Sequence, residues 1–486
     1  MPGTRPRGCR RKRWPISRCG TERSRATKSP WRHNARSRSD RPMSRSEPAS
    51  WSRRRCLHAA AALFAGMALP LNAAADGPQT EGARLTADFD PIGAMWLGYD
   101  AGHEAFTGDL AQALWPHVPI RMLVRDPQAR VRAMALLADR GLDAGKVQFT
   151  EDRSAHFFVR DSAVFGVDGD GRPFIVDFRW TGYGLGNWCR RRHGTNTVEA
   201  AACAATLDRD AGAVDERLAE ALRLPRFTTS LAMEGGGVEV NGQGLLIAHT
   251  ALWRRRNGGM ARDALEAQML ALPGIRKVIW IPFGLAHDAP HRATITGPYV
   301  GWGTGGHTDE FVRFADENTV LLAWVDEAEA NLHPVARLNR ERMQANLEVL
   351  RASTDQRGRP LRVVKVPLPR VVERPVVLRA DADTAYSEQW SATTFPPAEG
   401  RREGDTVLQV ATTSYLNHVV ANGLVLLPDY VPHGTPPALQ ERVLRRYEAA
   451  FPGRTIRFID CMGANWVGAG AHCASLGQPR ARPGWG

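Results

Sequence analysis

The segment LAMEGGGVEVNGQGLLIAHT (Leu231–Thr250) combines an acidic residue, a glycine-rich turn and two apolar runs. Its centre, NGQG, supplies asparagine and glycine, which tolerate the positive φ that a tight hairpin turn requires. The apolar residues on both sides of this turn are typical of two paired strands. The segment therefore predicts a β-hairpin that begins with one acidic side chain, Glu234.

Three other segments have the same arrangement, with DGDG, DEN or ANG at the turn. They are Val159–Trp180, Thr304–Val325 and Thr413–Tyr430. Each begins with polar groups that a strand itself does not need: Asp161, His307 and the Ser414/Asn417 pair. Helical patterns separate the hairpins, at Ala200–Leu224, Ala261–Leu272, Leu338–Ala352 and Pro437–Phe451. Such spacing indicates an internal repeat of one supersecondary unit.

Residues 76–486, about 411 in number, divide into five units of about 82 residues, each with a strand, a hairpin and a helix. One unit is too small to bury its own apolar face, so neighbouring units must pack together. We expect a closed α/β ring in which a final strand of the fifth unit completes the closure. The starting ends of the hairpins would then meet at one centre. The polar segment Ala380–Asp405 is interpreted as a surface insertion in the fourth unit.

The positive charge of the chain is concentrated near its N-terminus. Residues 1–55 contain 18 Lys and Arg against three acidic residues, whereas the remaining residues carry a net charge of −2. A net charge near zero gives the main body no electrostatic reason to bind nucleic acid or an anionic membrane.

An export signal explains the basic leader. SWSRRRCLHAAAALFAGMALPLNAAADG (Ser50–Gly77) has an arginine cluster, a short apolar run and an Ala-Ala-Ala site before Asp76. This order is that of a secretory signal, and the adjacent arginines resemble the twin-arginine type. We expect residues 1–75 to be a basic leader and signal peptide, with translation starting at Met43, and residues 76–486 to form a single domain. An uncleaved membrane anchor is the alternative. The processed protein would be periplasmic or secreted, without stable membrane insertion.

Removal of the leader would leave four cysteines, Cys189, Cys203, Cys461 and Cys473. In an oxidising compartment Cys189 and Cys203 could form a disulfide. A bridge between Cys461 and Cys473 is a second option, and it would block any reaction of the Cys473 thiol.

Cysteine, histidine and carboxylates at the predicted centre favour nucleophilic chemistry on a cation. A thiolate is a nucleophile that a neighbouring imidazolium stabilises, whereas neighbouring carboxylates raise its pKa. A planar guanidinium offsets the charge of those carboxylates and donates bidentate hydrogen bonds to them. In HTD, His307 and Asp309 lie two residues apart and are expected on one side of a strand. No zinc motif, G-x-S-x-G turn or nucleotide fingerprint is present, so no metal or organic cofactor is predicted.

The motifs FDPIGAMWLGYD, FVRDSAVFGV, MEGGGVEVNGQG, GGHTDEFVRFADENTVL, SYLNHVVANGLVLLPDY and AHC together resemble the agmatine deiminase and bacterial peptidylarginine deiminase family from about Leu85 to Gln478. The resemblance implies the pentein fold, a five-bladed pseudo-symmetric α/β propeller, and cofactor-free hydrolysis of a guanidino group to a ureido group. It also implies a role for each matching residue: Cys473 as the nucleophile, His307 as the general acid and base, and Asp161, Glu234 and Asp309 as acids that hold the guanidinium. EGGG, GAGAHC and Tyr99 depart from the family pattern and leave agmatine specificity open.

The substrate is predicted to be agmatine or a similar small guanidine, with peptidyl arginine as the alternative. Trp96 and Trp180 lie in motif segments that could wall the pocket, and the loop Arg190–Arg192 could bind a carboxylate. Transfer of the amidino group to an amine, and a non-catalytic binding role, are the remaining alternatives.

Overall fold

A repeated three-stranded unit organises the chain in the computed structural model, which describes residues 81–193, 196–211, 214–380 and 389–481. The predicted leader, the signal peptide and the start at Met43 lie outside these residues. In each of five sheets, two strands pair in an antiparallel manner and the second also pairs in parallel with a third. A parallel pair needs a crossover connection, and helices provide it here.

The strands are β1 (Arg84–Leu85), β2 (Ile92–Gly98), β3 (Ile120–Val124), β4 (Gln148–Glu151), β5 (Val164–Val167), β6 (Pro173–Asp177), β7 (Arg226–Thr228), β8 (Glu239–Val240), β9 (Leu245–His249), β10 (Lys277–Ile281), β11 (Ala293–Thr296), β12 (Tyr299–Gly301), β13 (Val312–Phe314), β14 (Thr319–Trp324), β15 (Arg362–Pro367), β16 (Glu373–Val377), β17 (Thr406–Val410), β18 (Val419–Ala421), β19 (Leu424–Pro428), β20 (Thr455–Ile459) and β21 (Ser475–Pro479). The helices are α1 (Glu104–Leu114), α2 (Pro127–Asp139), α3 (Gly186–His193), α4 (Thr197–Ala211), α5 (Val214–Leu222), α6 (Arg262–Leu270), α7 (Glu327–Ala330), α8 (Pro334–Ala352), α9 (Pro437–Ala450) and α10 (Met462–Asn465).

The five repeated sheets have the strand orders β21-β2-β3-β4, β1-β5-β6-β7, β8-β9-β10, β13-β14-β15 and β18-β19-β20. All four predicted hairpins are therefore present, as β5–β6, β8–β9, β13–β14 and β18–β19. The predicted helices coincide with α4 and α5, α6, α8 and α9. Apolar residues buried between these sheets and helices form the core, so the five-unit repeat is confirmed.

The turn between β8 and β9 shows why the sequence specifies this hairpin. The Asn241 side chain accepts hydrogen bonds from the backbone N–H groups of Gln243 and Leu245, each at 3.0 Å. Gly242 has φ +67° and Gly244 has φ +109°, which a residue with a side chain rarely adopts. Asparagine and glycine at these positions thus fix the turn that the sequence predicted.

Short 3₁₀ turns, rather than strand residues, carry the polar groups at the hairpin starts. Val159–Ser162, Gly235–Gly237 and Thr308–Glu310 are such turns, and each precedes the first strand of its hairpin. The expectation that His307 and Asp309 share one face of a strand is therefore wrong. In a strand, residues i and i+2 lie on the same face, whereas in a 3₁₀ turn, with three residues per turn, they do not.

The strand β21 completes the first sheet and not the fifth. It runs antiparallel to β2, with Leu476 opposite Trp96 and Ser475 opposite Leu97. The predicted closure is thus present, but the unit that it completes combines the last strand of the chain with β2, β3 and β4 from its beginning. Cys473 lies two residues before β21, so it occupies the same place in its unit as the polar residues at the other hairpin starts.

An additional sheet, with the order β11-β12-β17-β16, joins two separate segments of the chain. The predicted insertion Ala380–Asp405 connects β16 to β17, between the fourth and fifth units, and its residues 381–388 lie outside the described part. Trp390 and Phe395 are buried against Val300 and Val407. The insertion is therefore not confined to the surface, because it contributes to a small core of its own.

The segment Arg190–Arg192 belongs to helix α3, not to a loop as predicted. Cys189, in the same helix, forms a disulfide with Cys203 of α4, which confirms the predicted bridge. The alternative bridge between Cys461 and Cys473 is not formed, since both are buried free thiols. In the described part of the chain, the helices are too short or too polar to cross a membrane.

Candidate active site

Polar side chains from two hairpin starts converge around Gly236, which belongs to the start of a third hairpin. A methyl group at this glycine would lie 2.5 Å from Nδ1 of His307, 3.0 Å from Oδ1 of Asp161 and 3.1 Å from Oδ2 of Asp309. Such distances are too short for a β-carbon, so only glycine permits this approach. The ring therefore brings together residues that are far apart in the sequence.

The thiol of Cys473 lies at the same centre. Its Sγ accepts a hydrogen bond from Nδ2 of Asn417 at 3.1 Å and lies 3.5 Å from Oδ2 of Asp309. Burial, together with the negative charges of Asp309, Glu310 and Asp161, raises the pKa of the Cys473 thiol well above its usual value. Without a positive charge beside it, this cysteine is protonated at neutral pH.

His307 is surrounded by carboxylates. Its Nε2 lies 3.3 Å from Oε2 of Glu234, and its Nδ1 lies 3.7 Å from Oδ1 of Asp161. Burial alone would lower the pKa of His307, but the charges of Asp161 and Glu234 outweigh it and raise this pKa to about 9. The imidazole is therefore a cation at neutral pH. Among the contacts described, it forms no direct hydrogen bond with the Cys473 thiol. Asp309 lies between them in effect, because its Oδ2 is 3.5 Å from Sγ of Cys473 and its charge raises the pKa of His307.

Glu234 does not present a free carboxylate to the cavity. Nε of Arg256 donates to both of its carboxylate oxygens, at 3.0 and 3.1 Å, and His307 lies against one of them. Burial opposes ionisation, but the charges of Arg256 and His307 lower the pKa of Glu234 to about 2. This geometry differs from the predicted role of holding a guanidinium, because Glu234 is committed to Arg256 and orients His307 instead.

Asp161 lies on the cavity side of this cluster. Its carboxylate accepts hydrogen bonds from the backbone N–H of Gly236 and from the hydroxyl of Tyr183, both at 2.9 Å. Burial raises the pKa of Asp161, even though His307 opposes this shift. A cation in the cavity would therefore stabilise the ionised form of Asp161.

Asp309 is the acid nearest to the thiol. Its Oδ2 accepts a hydrogen bond from Nδ1 of His472 at 2.7 Å, while Oδ1 has no partner among the described residues. Burial opposes ionisation, but the hydrogen bond and charge of His472 lower the pKa of Asp309. Next to it, Glu310 has one oxygen bonded to Asn417 and one without a described partner.

A cavity of about 50 Å³ opens onto Cys473 and Asp161. Trp302, Tyr183 and His291 contribute to its wall, together with backbone around Thr304. The predicted wall residue Trp180 lies behind this lining, with its ring 4.9 Å from that of Tyr183. Among the described residues, Trp96 does not line the cavity, because it is fully buried and donates its indole N–H to Gln478. Trp302 takes the place that the sequence analysis gave to Trp96.

A second, larger cavity of about 260 Å³ adjoins the first, and Leu185 and His291 line both. Its wall includes Trp188 of α3 and the arginines Arg255 and Arg292. The site therefore continues from the thiol into a second space whose lining includes two arginines.

The sequence analysis missed several residues of the site. They are Asp88, Tyr183, Arg256, Asp288, Glu310 and His472. Asp288 accepts hydrogen bonds from the backbone N–H groups of Gly305, Gly306 and His307 and so fixes the loop that carries His307. Only two weak signals pointed to such residues, the HTDE run at Glu310 and the AHC run at His472. The others lie in segments whose local pattern gives no indication of a functional role.

Asp309, Glu310 and Cys473 place one ligand-type atom each within 4.8 Å of one another. We assign no metal to this cluster, because its free carboxylate oxygens can equally accept N–H groups of an organic cation. A thiol and an imidazolium among acids can instead carry out nucleophilic attack and proton transfer on a cationic substrate.

Stability should depend on pH through His307. Its folded-state pKa is raised from 6.5 to about 9, so its contribution is complete below pH 6.5 and is lost as the pH rises through 9. We expect the free energy of unfolding to fall by at most about 1.4 kcal/mol per pH unit in this window. Urea unfolding at pH 6, 7, 8 and 9 measures the slope. His307→Gln should flatten the dependence of unfolding free energy on pH. His117→Gln, a histidine outside the centre, is the control and should leave it unchanged. An equal slope in the parent protein and both variants would contradict the charge assigned to His307.

The sequence of this chain is similar to those of known deiminases. The family of Porphyromonas-type peptidyl-arginine deiminases matches residues 93–479. A Streptomyces coelicolor protein named "Putative agmatine deiminase" is 29% identical over 406 residues, which cover 82% of this chain and 99% of that protein. The agmatine deiminase of Stutzerimonas stutzeri is 26% identical and covers 83% of this chain and 97% of its own length.

Solved structures show the same architecture. The agmatine deiminase of Enterococcus faecalis superposes with a TM-score of 0.61 at 20% identity, over 83% of this chain and 98% of that one. A Porphyromonas gingivalis protein described as a putative arginine deiminase gives 0.57 at 19% identity, over 82% and 100%. At these identities the likeness establishes the fold alone. With the family match, it shows that the chain belongs to the Porphyromonas-type peptidyl-arginine deiminase family, has the pentein fold, and is a hydrolase of carbon–nitrogen bonds.

Proposed function

We propose that this protein is an exported guanidine deiminase that converts a small guanidine, agmatine or a close relative, to its ureido product and ammonia. The observation that carries the proposal is the surplus of acid around one thiol. Asp161, Asp309 and Glu310 all raise the pKa of Cys473, and two of them have an oxygen without a described partner. Burial raises the pKa values of Asp161 and Glu310, so a planar guanidinium would stabilise their ionised forms and satisfy those oxygens.

Substrate binding prepares the nucleophile. A guanidinium held by Asp161 and Asp309 brings its positive charge beside Cys473 and thereby lowers the pKa of the thiol, whose proton is released to solvent through the cavity before the attack. Glu234 and Arg256 do not take part in this binding, since they hold each other and His307. The proposal thus assigns substrate binding to two acids, and gives Glu234 a positioning role.

In the first chemical step, the Cys473 thiolate attacks the guanidinium carbon and an Sγ–C bond forms. The His307 imidazolium gives its proton to one nitrogen, the C–N bond breaks and ammonia leaves. The high pKa of His307 supports this role, because the imidazole is protonated before the reaction starts.

In the second step, neutral His307 removes a proton from a water molecule, which attacks the same carbon. The Sγ–C bond then breaks, the ureido product leaves and the thiolate is regenerated. If an amine replaced the water, the same intermediate would give amidino transfer. Addition of glycine or a polyamine to the assay distinguishes the two, because only transfer diverts the ureido product.

Cys473→Ala should abolish ammonia release from any guanidine while leaving the thermal midpoint nearly unchanged, because the thiol contributes little to packing. Cys461→Ala is the matched control, since Cys461 is also a buried free thiol but, in the described part of the chain, lies outside the cavity lining. Ammonia and ureido product are measured with agmatine, arginine and an arginyl peptide. If Cys473→Ala keeps more than a few per cent of the activity, another group is the nucleophile.

Two observations bear on the substrate. The names of the curated relatives and the apolar inner lining, which includes Phe158, Leu185 and Val467, support a small guanidine with an aliphatic chain. The alternative, peptidyl or free arginine, is supported by the family's name and by Arg255 and Arg292 at the outer cavity, because a carboxylate is attracted to guanidinium groups.

The ratio of kcat/KM for agmatine and for a peptide ending in arginine separates these substrates. We expect agmatine to be preferred; a tenfold or greater preference for the peptide would overturn this choice. In that case Arg255→Gln should lower kcat/KM for the peptide and spare agmatine. Arg254→Gln, the exposed neighbour whose guanidinium stacks on Trp253, is the matched control and should change neither.

Export is supported by the leader sequence and by the Cys189–Cys203 disulfide, because such bonds persist mainly in oxidising compartments. Replacement of Arg53, Arg54 and Arg55 by lysine should leave the protein in the cytoplasm if the signal is of the twin-arginine type. Cell fractionation with the protein expressed from Met43 measures this. Normal export of the lysine variant would exclude that type of signal, and retention of the parent protein in the cytoplasm would exclude export.

A further inference from the structure

His472 precedes the nucleophile in the sequence but has no role in the steps described above. Its ring joins two carboxylates: Nδ1 lies 2.7 Å from Oδ2 of Asp309, and Nε2 lies 2.8 Å from Oδ2 of Asp88. The side chain is almost fully buried. A histidine between two acids, one of which borders the thiol, is more than a packing residue.

We propose that His472 is a positioning residue that remains a buried imidazolium and holds Asp309 ionised and oriented for the guanidinium. This inference rests on the proposed function, which it deepens by naming the group that maintains the charge of the substrate-binding acid.

The hydrogen bonds define the charge of the ring. A neutral imidazole donates from one nitrogen only, whereas an imidazolium donates from both. Ionised carboxylates only accept, so contacts of 2.7 and 2.8 Å to Asp309 and Asp88 are both satisfied when His472 carries two protons. The pKa values of Asp88 and Asp309 are lowered despite burial, which agrees with two ionised acids around a cation.

Two arginines keep Asp88 ionised beside this ring. Asp88 also accepts hydrogen bonds from Arg160 at 3.0 Å and from Arg313 at 2.7 Å, and Arg313 contacts Glu239 at 3.0 Å. Glu310 and Cys473 border Asp309 on its other side. Asp88 is thus held by two arginines, and it presents a fixed acceptor that orients the imidazolium ring.

Backbone contacts also fix the position of His472. Its N–H donates to Oδ1 of Asn417 at 2.9 Å, and Nδ2 of the same asparagine donates to the thiol. Because His472 bonds only Oδ2 of Asp309, Oδ1 remains available to a substrate N–H. The ring therefore orients the acid and leaves one of its oxygens without a partner among the described residues.

His472→Asn tests the proposal, because asparagine can still donate near the Nδ1 position but carries no charge. We expect KM for agmatine to rise tenfold or more with a smaller change in kcat. The acid limb of the kcat/KM profile should also move to higher pH by about one unit or more, since loss of an adjacent positive charge raises a carboxyl pKa by that amount.

His418→Asn is the matched control. His418 is also a buried histidine of this region, but burial lowers its pKa well below the usual value, so it is neutral, and it contacts the hydroxyl of Tyr447. It should alter stability without moving the acid limb. A merely structural role for His472 would make the two variants behave alike, and an unchanged acid limb and KM in His472→Asn would overturn the proposal.

A nitrogen-15 NMR measurement keeps this test separate from the activity itself. The spectrum is recorded for the Cys473→Ala protein. The His472 ring resonances are those that disappear when His472→Asn is added to it, and we expect both ring nitrogens to be protonated at pH 7. A neutral ring would overturn the inference even in an active enzyme. If the wild-type protein released no ammonia from any guanidine while the ring was doubly protonated, the proposed function alone would fail.

Discussion

Burial of charge at the centre of the ring is the constraint on which the site depends. Among the residues that the structure describes, six buried carboxyl groups meet there with five buried basic side chains. The acids are Asp161, Glu234, Glu239, Asp288, Asp309 and Glu310, and the bases are Arg160, Arg256, Arg313, His307 and His472. An unpaired buried charge is costly, so each acid must find a cation, a set of N–H donors or a proton. Each acid is compensated by different neighbours, and these neighbours determine what each acid does in the site.

These neighbours divide the acids into two groups. Glu234 and Asp309 stay ionised because a cation adjoins each of them, whereas burial raises the pKa of Glu239 to about 8 and also raises that of Asp161. Asp288 is held by backbone N–H groups of the loop that carries His307. The centre therefore contains acids that are ionised and acids whose ionised form burial disfavours, although Arg313 adjoins Glu239 and His307 adjoins Asp161. Of the second group, Asp161 lines the cavity beside Cys473, so a cationic substrate would stabilise its ionised form, and this links binding to nucleophile activation.

Local sequence signals were sufficient for the hairpins and crossover helices, because turn residues such as Asn241 and Gly242 and the apolar periods act over short distances. They were insufficient wherever the outcome depends on distant segments. The position of β21 in the first sheet follows from pairing with β2, and nothing near Ser475 reveals it. The additional sheet combines segments on both sides of the fourth unit for the same reason. The residues of the site were predicted through family motifs, whereas the pairing of Arg256 with Glu234 could not be, since it satisfies a charge that only the folded ring buries.

The pairing of β21 with β2 also affects the order in which the protein is made. The strands β2 and β21 are separated by the entire ring, so the first sheet stays incomplete until residues 475–479 have left the ribosome. Cys473 reaches its neighbours at the same moment, because it lies in the turn that leads into β21. A nascent chain can thus form the hairpins of its inner units while it still lacks the nucleophile. Contacts between such distant residues are slow to form, so completion of the sheet and assembly of the reactive centre are one late folding event.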